Sequence, residues 1–442
     1  MLRRAAAAVG SALIVLAVLA GPAGAASVTF GTPTATSTFG KGITFTQPIS
    51  GSSFVEADIV YEQIGDMGPT VAKIDNPGTT TLKYSFDTSN GELQPNTPLT
   101  AHFQVVFSDG TTEQGPTIHV TYLDDRFNWQ TKTGQLVTLH WYSGSDAFAQ
   151  QALAMGEAGV AKSAKFLGVT ETKPIDFYVY ADQQAFYDAL GPGTRDNVGG
   201  EANTVTRTLF ALITPDELSY ARTVVPHELT HVVFDDATSN PYHAPPRWLN
   251  EGLAVYLSEG FVSSDRSLVS DAAASKTLMP LAALTGQFPT SADQFYLAYA
   301  ESVSAVDYLI RTYGQAAIDK VVTAYAAGSS DDEAFKAAFG LDASAFDAAW
   351  LAQNGVTSLP TYGPQAAPPG PLPSGWTSAG GGAVATGGPD AGSSVAPTAG
   401  PGNPTTQSRA DNTSAMLVFA GLVAAAGLGL LAVAAALHAR TR

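Results

Sequence analysis

The period of the apolar residues changes once along this chain, near Trp129, and that change limits the architectures open to it. Before it, short apolar or alternating runs recur: GITFTQ, FVEADIVYEQ, TTLKYSFD, LTAHFQVVF and TIHVTYL. Turn signals separate them at Asp75 (DNPG), Ser89 (SNG) and Ser108 (SDG). Strands at such spacing, with no helical period, predict an all-β sandwich of Ig-like type over residues 26–125. His102 and His119 fall in these strands and read as half-exposed strand residues, so this part reads as an accessory domain. After Trp129, QLVTLHWY is strand-like, and the segment from Asp146 has helical period and stops at Gly168. PIDFYVYA and TVTRTLFALIT are strands again, and the chain is then mostly helical through ESVSAVDYLIRTYG and DDEAFKAAFG to SAFDAAWLA. This order predicts an α+β domain over residues 127–354.

The two ends read differently from this body. Residues 1–25 combine Arg3 and Arg4, an apolar run and Ala23-Gly24-Ala25, the pattern of a cleavable secretory signal peptide. Residues 355–413 are rich in Gly, Pro, Ala, Ser and Thr. Such a composition buries too little apolar surface to offset the entropy of ordering, so a disordered stalk is expected. Residues 415–437 carry no charge. At about 1.5 Å per residue they reach about 34 Å, enough for a hydrocarbon core of about 30 Å. Arg440 and Arg442 follow, so residues 438–442 read as a cytoplasmic tail. The sequence therefore predicts a single-pass cell-membrane protein with its body outside. LPTYG at Leu359 departs from a cell-wall sorting signal at Tyr362 and lies far upstream of the expected span.

Composition narrows the chemistry. There are 39 acidic against 22 basic residues, a net charge of −17. A surface of that sign repels nucleic acid and anionic lipid, and no nucleic-acid partner is expected. There is no cysteine. Disulfides, thiol catalysis and cysteine-ligated zinc are thereby excluded, and His and carboxylates remain as the plausible metal ligands.

The stretch VVPHELTHVVFDD supplies two of them. On a helix, His227 and His231 at i and i+4 share one face and can present imidazole nitrogens to one ion. Pro226 fits the first turn of such a helix, where its missing N–H costs nothing. Catalytic zinc usually takes three protein ligands. In PPRWLNEGLAVYLSE, Pro245 and Pro246 mark a second helix start, and Glu251 lies in its first turns. His243, in the Pro-rich loop, is the other candidate. The pattern that places a third histidine six residues after His231 is absent, since Ala237 stands there and Phe234 stands at its glycine position.

HELTH followed by WLNEGLAVYL resembles the gluzincin metallopeptidases, the peptidase MA-like group of thermolysin and the zinc aminopeptidases. The two-helix block carries the likeness, which extends more loosely over residues 127–354. It implies one Zn²⁺ held by His227, His231 and Glu251, with Glu228 as general base taking a proton from a metal-activated water. Asn250 is then placed to hydrogen-bond a ligand histidine. The zinc aminopeptidases add an oxyanion-stabilising Tyr in a Y-x-K-G pattern. Here Tyr299 is the counterpart, without the Lys and Gly, and Tyr296 lies one helical turn away. No segment like the amine-anchoring motif of those aminopeptidases is visible. TLFALIT resembles the edge strand on which gluzincins pair a substrate backbone.

Two functions lead on these residues, with a zinc hydrolase acting on a non-peptide bond as a third. The first is a membrane-anchored extracellular zinc peptidase acting on peptides or proteins. The second is a cell-surface binding or adhesion protein whose peptidase-like domain is catalytically silent. The retention of Glu228 with all three ligands favours the enzyme.

Overall fold

The computed structural model describes residues 26–357 apart from 92, 193–197 and 217. The expected signal peptide, the stalk beyond residue 357, the span over 415–437 and the tail lie outside the described residues. Among the described residues, no helix is long and apolar enough to cross a membrane. The described residues divide into two compact units, 26–129 with 182–192, and 130–181 with 198–357.

The first unit is built from β1 (Val28–Phe30), β2 (Thr34–Thr38), β3 (Gly42–Gly51), β4 (Glu56–Gln63), β5 (Thr70–Lys73), β6 (Thr81–Asp87), β7 (Thr97–Val106), β8 (Thr112–Gln114) and β9 (Ile118–Tyr122). In one sheet β3 pairs with β1, β2 and β6, all antiparallel. The other has the order β5-β4-β7-β8, with β9 also on β7. Side chains alternate across a strand, so Ile43, Phe45 and Ile49 of β3 point one way. They share a single buried cluster with Ile59, Leu99 and Phe103 of the second sheet. Each such fully buried side chain stabilises by roughly 1.5–3 kcal/mol.

The second unit opens with β10 (Gln130–Thr133) and β11 (Val137–Trp141), then α1 (Asp146–Leu167) and β12 (Ile175–Tyr180). Ser145 caps α1 by accepting from Phe148 N–H, and Gly168 ends it in the left-handed conformation. The next helix, α2 (Gln183–Leu190), belongs to the first unit. Arg126 holds it there, reaching Asp188 at 2.7 Å and the Ala185 carbonyl at 2.9 Å. The chain then returns through β13 (Gly200–Asn203) and β14 (Thr208–Leu212). The sheet order is β10-β11-β12-β14-β13, with β11, β12 and β14 parallel and the two outer pairs antiparallel.

This corrects two expectations. TVTRTLFALIT is not one strand: its first residues, 204–207, form the turn between β13 and β14. The turn is fixed by Asn203 Oδ1 accepting from Thr206 N–H at 3.0 Å, with Arg207 at φ 54°. TLFALIT is not the edge either. β14 is paired on both sides, and the edge strand is β13.

The helices that follow are α3 (Leu218–Thr238), α4 (Arg247–Ser258), α5 (Ser263–Ser275), a 3-10 turn at Leu281–Leu284, α6 (Ala292–Tyr313), α7 (Gln315–Ala326), α8 (Asp331–Phe339) and α9 (Ala343–Gln353). Pro226 is not in the first turn of its helix, because α3 begins at Leu218. An interior proline removes the bond to the carbonyl four residues back. Tertiary packing keeps the helix whole. Gly159 of α1 lies so close that a Cβ there would come within 3.2 Å of Pro226 Cα and 3.1 Å of Leu229 Cδ1. Ser163 Oγ adds a 2.9 Å hydrogen bond to Thr230 Oγ1, joining α1 to the same turn.

Candidate metal centre

Every residue from 227 to 234 on α3 is buried, so this helix has no solvent face where the motif lies. Apolar residues need no explanation there, but ionisable ones do. His227, Glu228 and His231 are each 0 % exposed. Removing such groups from water costs several kcal/mol each unless something compensates. The i, i+4 spacing brings the two rings together, with their Nε2 atoms 3.1 Å apart.

The second helix supplies the counter-group. Glu251 of α4 is also 0 % exposed, and its Oε2 lies 3.8 Å from both histidine Nε2 atoms. These three side chains are the group among the described residues able to hold a metal ion. The two carboxylate oxygens have different surroundings. Oε1 accepts from Arg247 Nε at 3.1 Å and from the Tyr299 hydroxyl at 3.3 Å. Oε2 has no hydrogen-bond partner among the described residues. A buried oxygen without a donor, facing two imidazole nitrogens, is what a divalent cation satisfies, and an N₂O set of this kind suits zinc. The residues therefore fit the metal.

Asn250 fixes one ring. Its Oδ1 is 2.7 Å from His231 Nδ1, so the ring donates there and keeps its Nε2 lone pair for an ion. Burial holds His227 well below its ordinary value, with His231 adding to the effect. Burial likewise lowers His231 to about 4, against a smaller upward pull from Asn250. Both rings are thus neutral near pH 7, the form that ligates metals. The carboxyls move the other way. Burial raises Glu251 to about 7, with Arg247 opposing. Burial, then Glu251 and Glu201, push Glu228 well above the carboxylate range. A bound dication reverses that tendency, because it favours the ionised carboxylates around it.

Glu228 is the candidate base, and the Ala202 N–H of β13 is the backbone group that opposes the upward push on its carboxyl. Tyr299, on α6, is 2 % exposed and reaches the ligand carboxylate directly, whereas Tyr296 is only half-buried and makes no such contact. His243 is not a ligand. Its Nε2 pairs with Asp331 Oδ1 at 2.8 Å, and its ring stacks on Tyr325. His102 and His119 lie on β7 and β9 of the first unit and are not among the three ligand residues.

Three residues of the centre have little or no signature in the sequence. Arg247 is one, and the i, i+4 spacing to Glu251 is the signal that could have found it. The others lie on the edge strand. A Cβ on Gly200 would come within 2.9 Å of Glu228 Cγ, so β13 runs directly against the base. Glu201 follows it, 4 % exposed, and its charge bears on Glu228. The short polar GEAN gives no strand signal of its own.

Comparison with known proteins agrees with this geometry. Residues 155–355 match the family model described as the peptidase MA superfamily. No curated protein is similar in sequence. Among solved structures, an M1 zinc metallopeptidase from Deinococcus radiodurans is 13% identical, with 73% of this chain and 91% of that chain covered and a TM-score of 0.35. An aminopeptidase N family protein from Idiomarina loihiensis is 8% identical, with 74% and 72% covered and a TM-score of 0.34. Scores this low describe a partial likeness and decide nothing about function. The family model and the buried two-helix cluster coincide along the chain, and residues 155–355 belong to the peptidase MA superfamily as a zinc metallopeptidase domain.

Proposed function

We propose that this chain hydrolyses peptide bonds of extracellular peptides or proteins, with one zinc ion held by His227, His231 and Glu251. The observation that carries the reading is the fully buried trio of ionisable groups on a helix with no solvent face, with Glu251 Oε2 turned toward them. Zinc in such a site supplies Lewis acidity and makes water a nucleophile at neutral pH. Glu228 would accept a proton from an attacking water and return it to the leaving amine. Asn250 holds the His231 ring in the ligating tautomer. Tyr299 donates its O–H to the oxyanion that develops on the substrate carbonyl, releasing Glu251 Oε1 as it does so. β13, the last strand on its side of the sheet, offers a place for an extended substrate to pair beside the base.

The sequence of the two ends supports an exported body tethered through residues 415–437, with the C-terminus in the cytoplasm and residues 355–413 as a spacer. The first unit serves as an accessory domain of sandwich type.

The full chain should hold about one zinc per molecule and cleave members of a broad peptide library, and chelation should abolish both. Zinc bound at this ratio with no cleavage across the library would favour the catalytically silent binding protein instead.

A further inference from the structure

Glu251 can offer a metal either oxygen, or both, and the protein has to choose. We infer that Arg247 is the positioning residue that makes this choice: by engaging Glu251 Oε1 it turns Oε2 toward His227 and His231. The inference rests on the proposed zinc site and extends it to a residue outside the ligand set.

Three observations carry it. Arg247 and Glu251 stand at i and i+4 on α4, and Nε meets Oε1 at 3.1 Å. Tyr299 donates to the same oxygen at 3.3 Å, so both donors fall on one side of the carboxylate. Oε2 is left without a hydrogen-bond partner among the described residues and lies 3.8 Å from each histidine Nε2.

Arg247 is itself held in place. Its backbone N–H donates to the Thr285 carbonyl at 2.9 Å, fixing the first turn of α4. Its guanidinium carbon lies 5.1 Å from the Phe288 ring centroid, and its side chain is 17% exposed. Phe288 in turn meets the Tyr299 ring edge-on at 5.3 Å. Arginine, Phe288 and Tyr299 therefore form one packed support behind the ligand. A planar guanidinium, always charged, suits this role better than a flexible ammonium point charge.

Charge points the same way. Glu201, Glu228 and Glu251 are all buried. Arg247 sets a guanidinium directly beside the ligand of this acidic cluster.

Zinc affinity of the full chain, measured by competition with a chromogenic chelator, tests the inference without reference to hydrolysis. Visible spectra of the cobalt-substituted protein report the ligand geometry. Arg247→Met should weaken zinc by about 10–100-fold, the usual scale for losing a group that orients a ligand, and should alter the cobalt spectrum. Arg247→Lys should recover part of the affinity. Arg247→Met binding zinc like the parent, with an unchanged cobalt spectrum, would overturn the inference. If Arg247→Met shows no cooperative melt in the metal-free state, Arg247→Lys decides: weakened zinc binding supports the role and parental affinity refutes it. Glu251→Ala separates this idea from its foundation. Zinc binding unaffected by that change would sink the ligand assignment itself, whereas loss in Glu251→Ala with none in Arg247→Met would sink only the role of Arg247.

Discussion

A methyl group placed on Gly252 would come within 2.4 Å of the Ser302 carbonyl oxygen. The residue after the ligand Glu251 is thus a point of close approach between α4 and α6, and the clash is with backbone, which cannot swing aside. Gly252→Ala should destabilise the fold by about 1–3 kcal/mol through overpacking, despite the better helix propensity of alanine. Chemical denaturation of the two proteins would show it. An alanine variant as stable as the parent would mean that the two helices are not so closely packed.

Glu228→Gln keeps the size of the base but removes its function. Hydrolysis should fall by at least about 10²-fold, the scale of general-base loss, while zinc content stays at the parental level. Steady-state kinetics with elemental analysis on the same preparation make the check, and retained activity would remove Glu228 from the proposed mechanism.

Tyr299→Phe and Tyr296→Phe form a matched pair. Tyr299 touches the ligand carboxylate and Tyr296 does not. If Tyr299 is the oxyanion donor, its loss should lower kcat by about 10²–10³-fold, with little change in KM. Tyr296→Phe should leave kcat close to the parent. Equal effects from both would leave Tyr299 as a packing residue between Phe288 and Phe295.

Glu301 gives the chain a pH dependence unrelated to metal. It is 0 % exposed, and its Oε1 accepts from Met279 N–H at 3.0 Å. Burial raises its carboxyl from 4.5 to about 9, with Met279 opposing and Asp347 adding to the rise. The folded state therefore keeps the proton up to about pH 9, while the unfolded chain loses it near 4.5. Stability from this group is fully present below the lower value and is lost as pH rises through the upper one, with a slope of at most about 1.4 kcal/mol per pH unit. Glu301→Gln cannot ionise, so its unfolding free energy should decline less than the parent's between pH 5 and pH 8. Parallel declines in the two proteins would contradict the assignment.

Much of the metal centre was legible because it is local. A two-histidine spacing and a downstream Asn-Glu pair are helical geometry written directly in sequence, and His227, His231, Glu251 and Asn250 do converge. The end of α1 was legible for the same reason, since Gly168 adopts the left-handed conformation that stops a helix. What failed depends on neighbours distant in sequence. Pro226 sits inside α3 because Gly159 packs on it, and no local rule announces that contact. The edge strand was misplaced because β13 is four residues with no apolar alternation, and its place comes from pairing with β14 and lying on α3. Arg247 was passed over because a basic residue at a helix start reads as surface until its acceptor proves to be the ligand itself.

The three ligands and the base all come from α3 and α4, joined by residues 239–246. A zinc ion here clasps one helix–loop–helix and closes a short loop, at small entropic cost. Its binding free energy is therefore added to that hairpin first and reaches β13 and β14 only through packing. The hairpin should act as the slowest-opening element of its unit. Amide exchange over residues 227–257 should be the most protected with zinc bound and should accelerate most on chelation, whereas uniform acceleration across the unit would show that metal and sheet open together. In such a molecule, losing the ion loosens the peptidase helices while the sheet beside them remains formed.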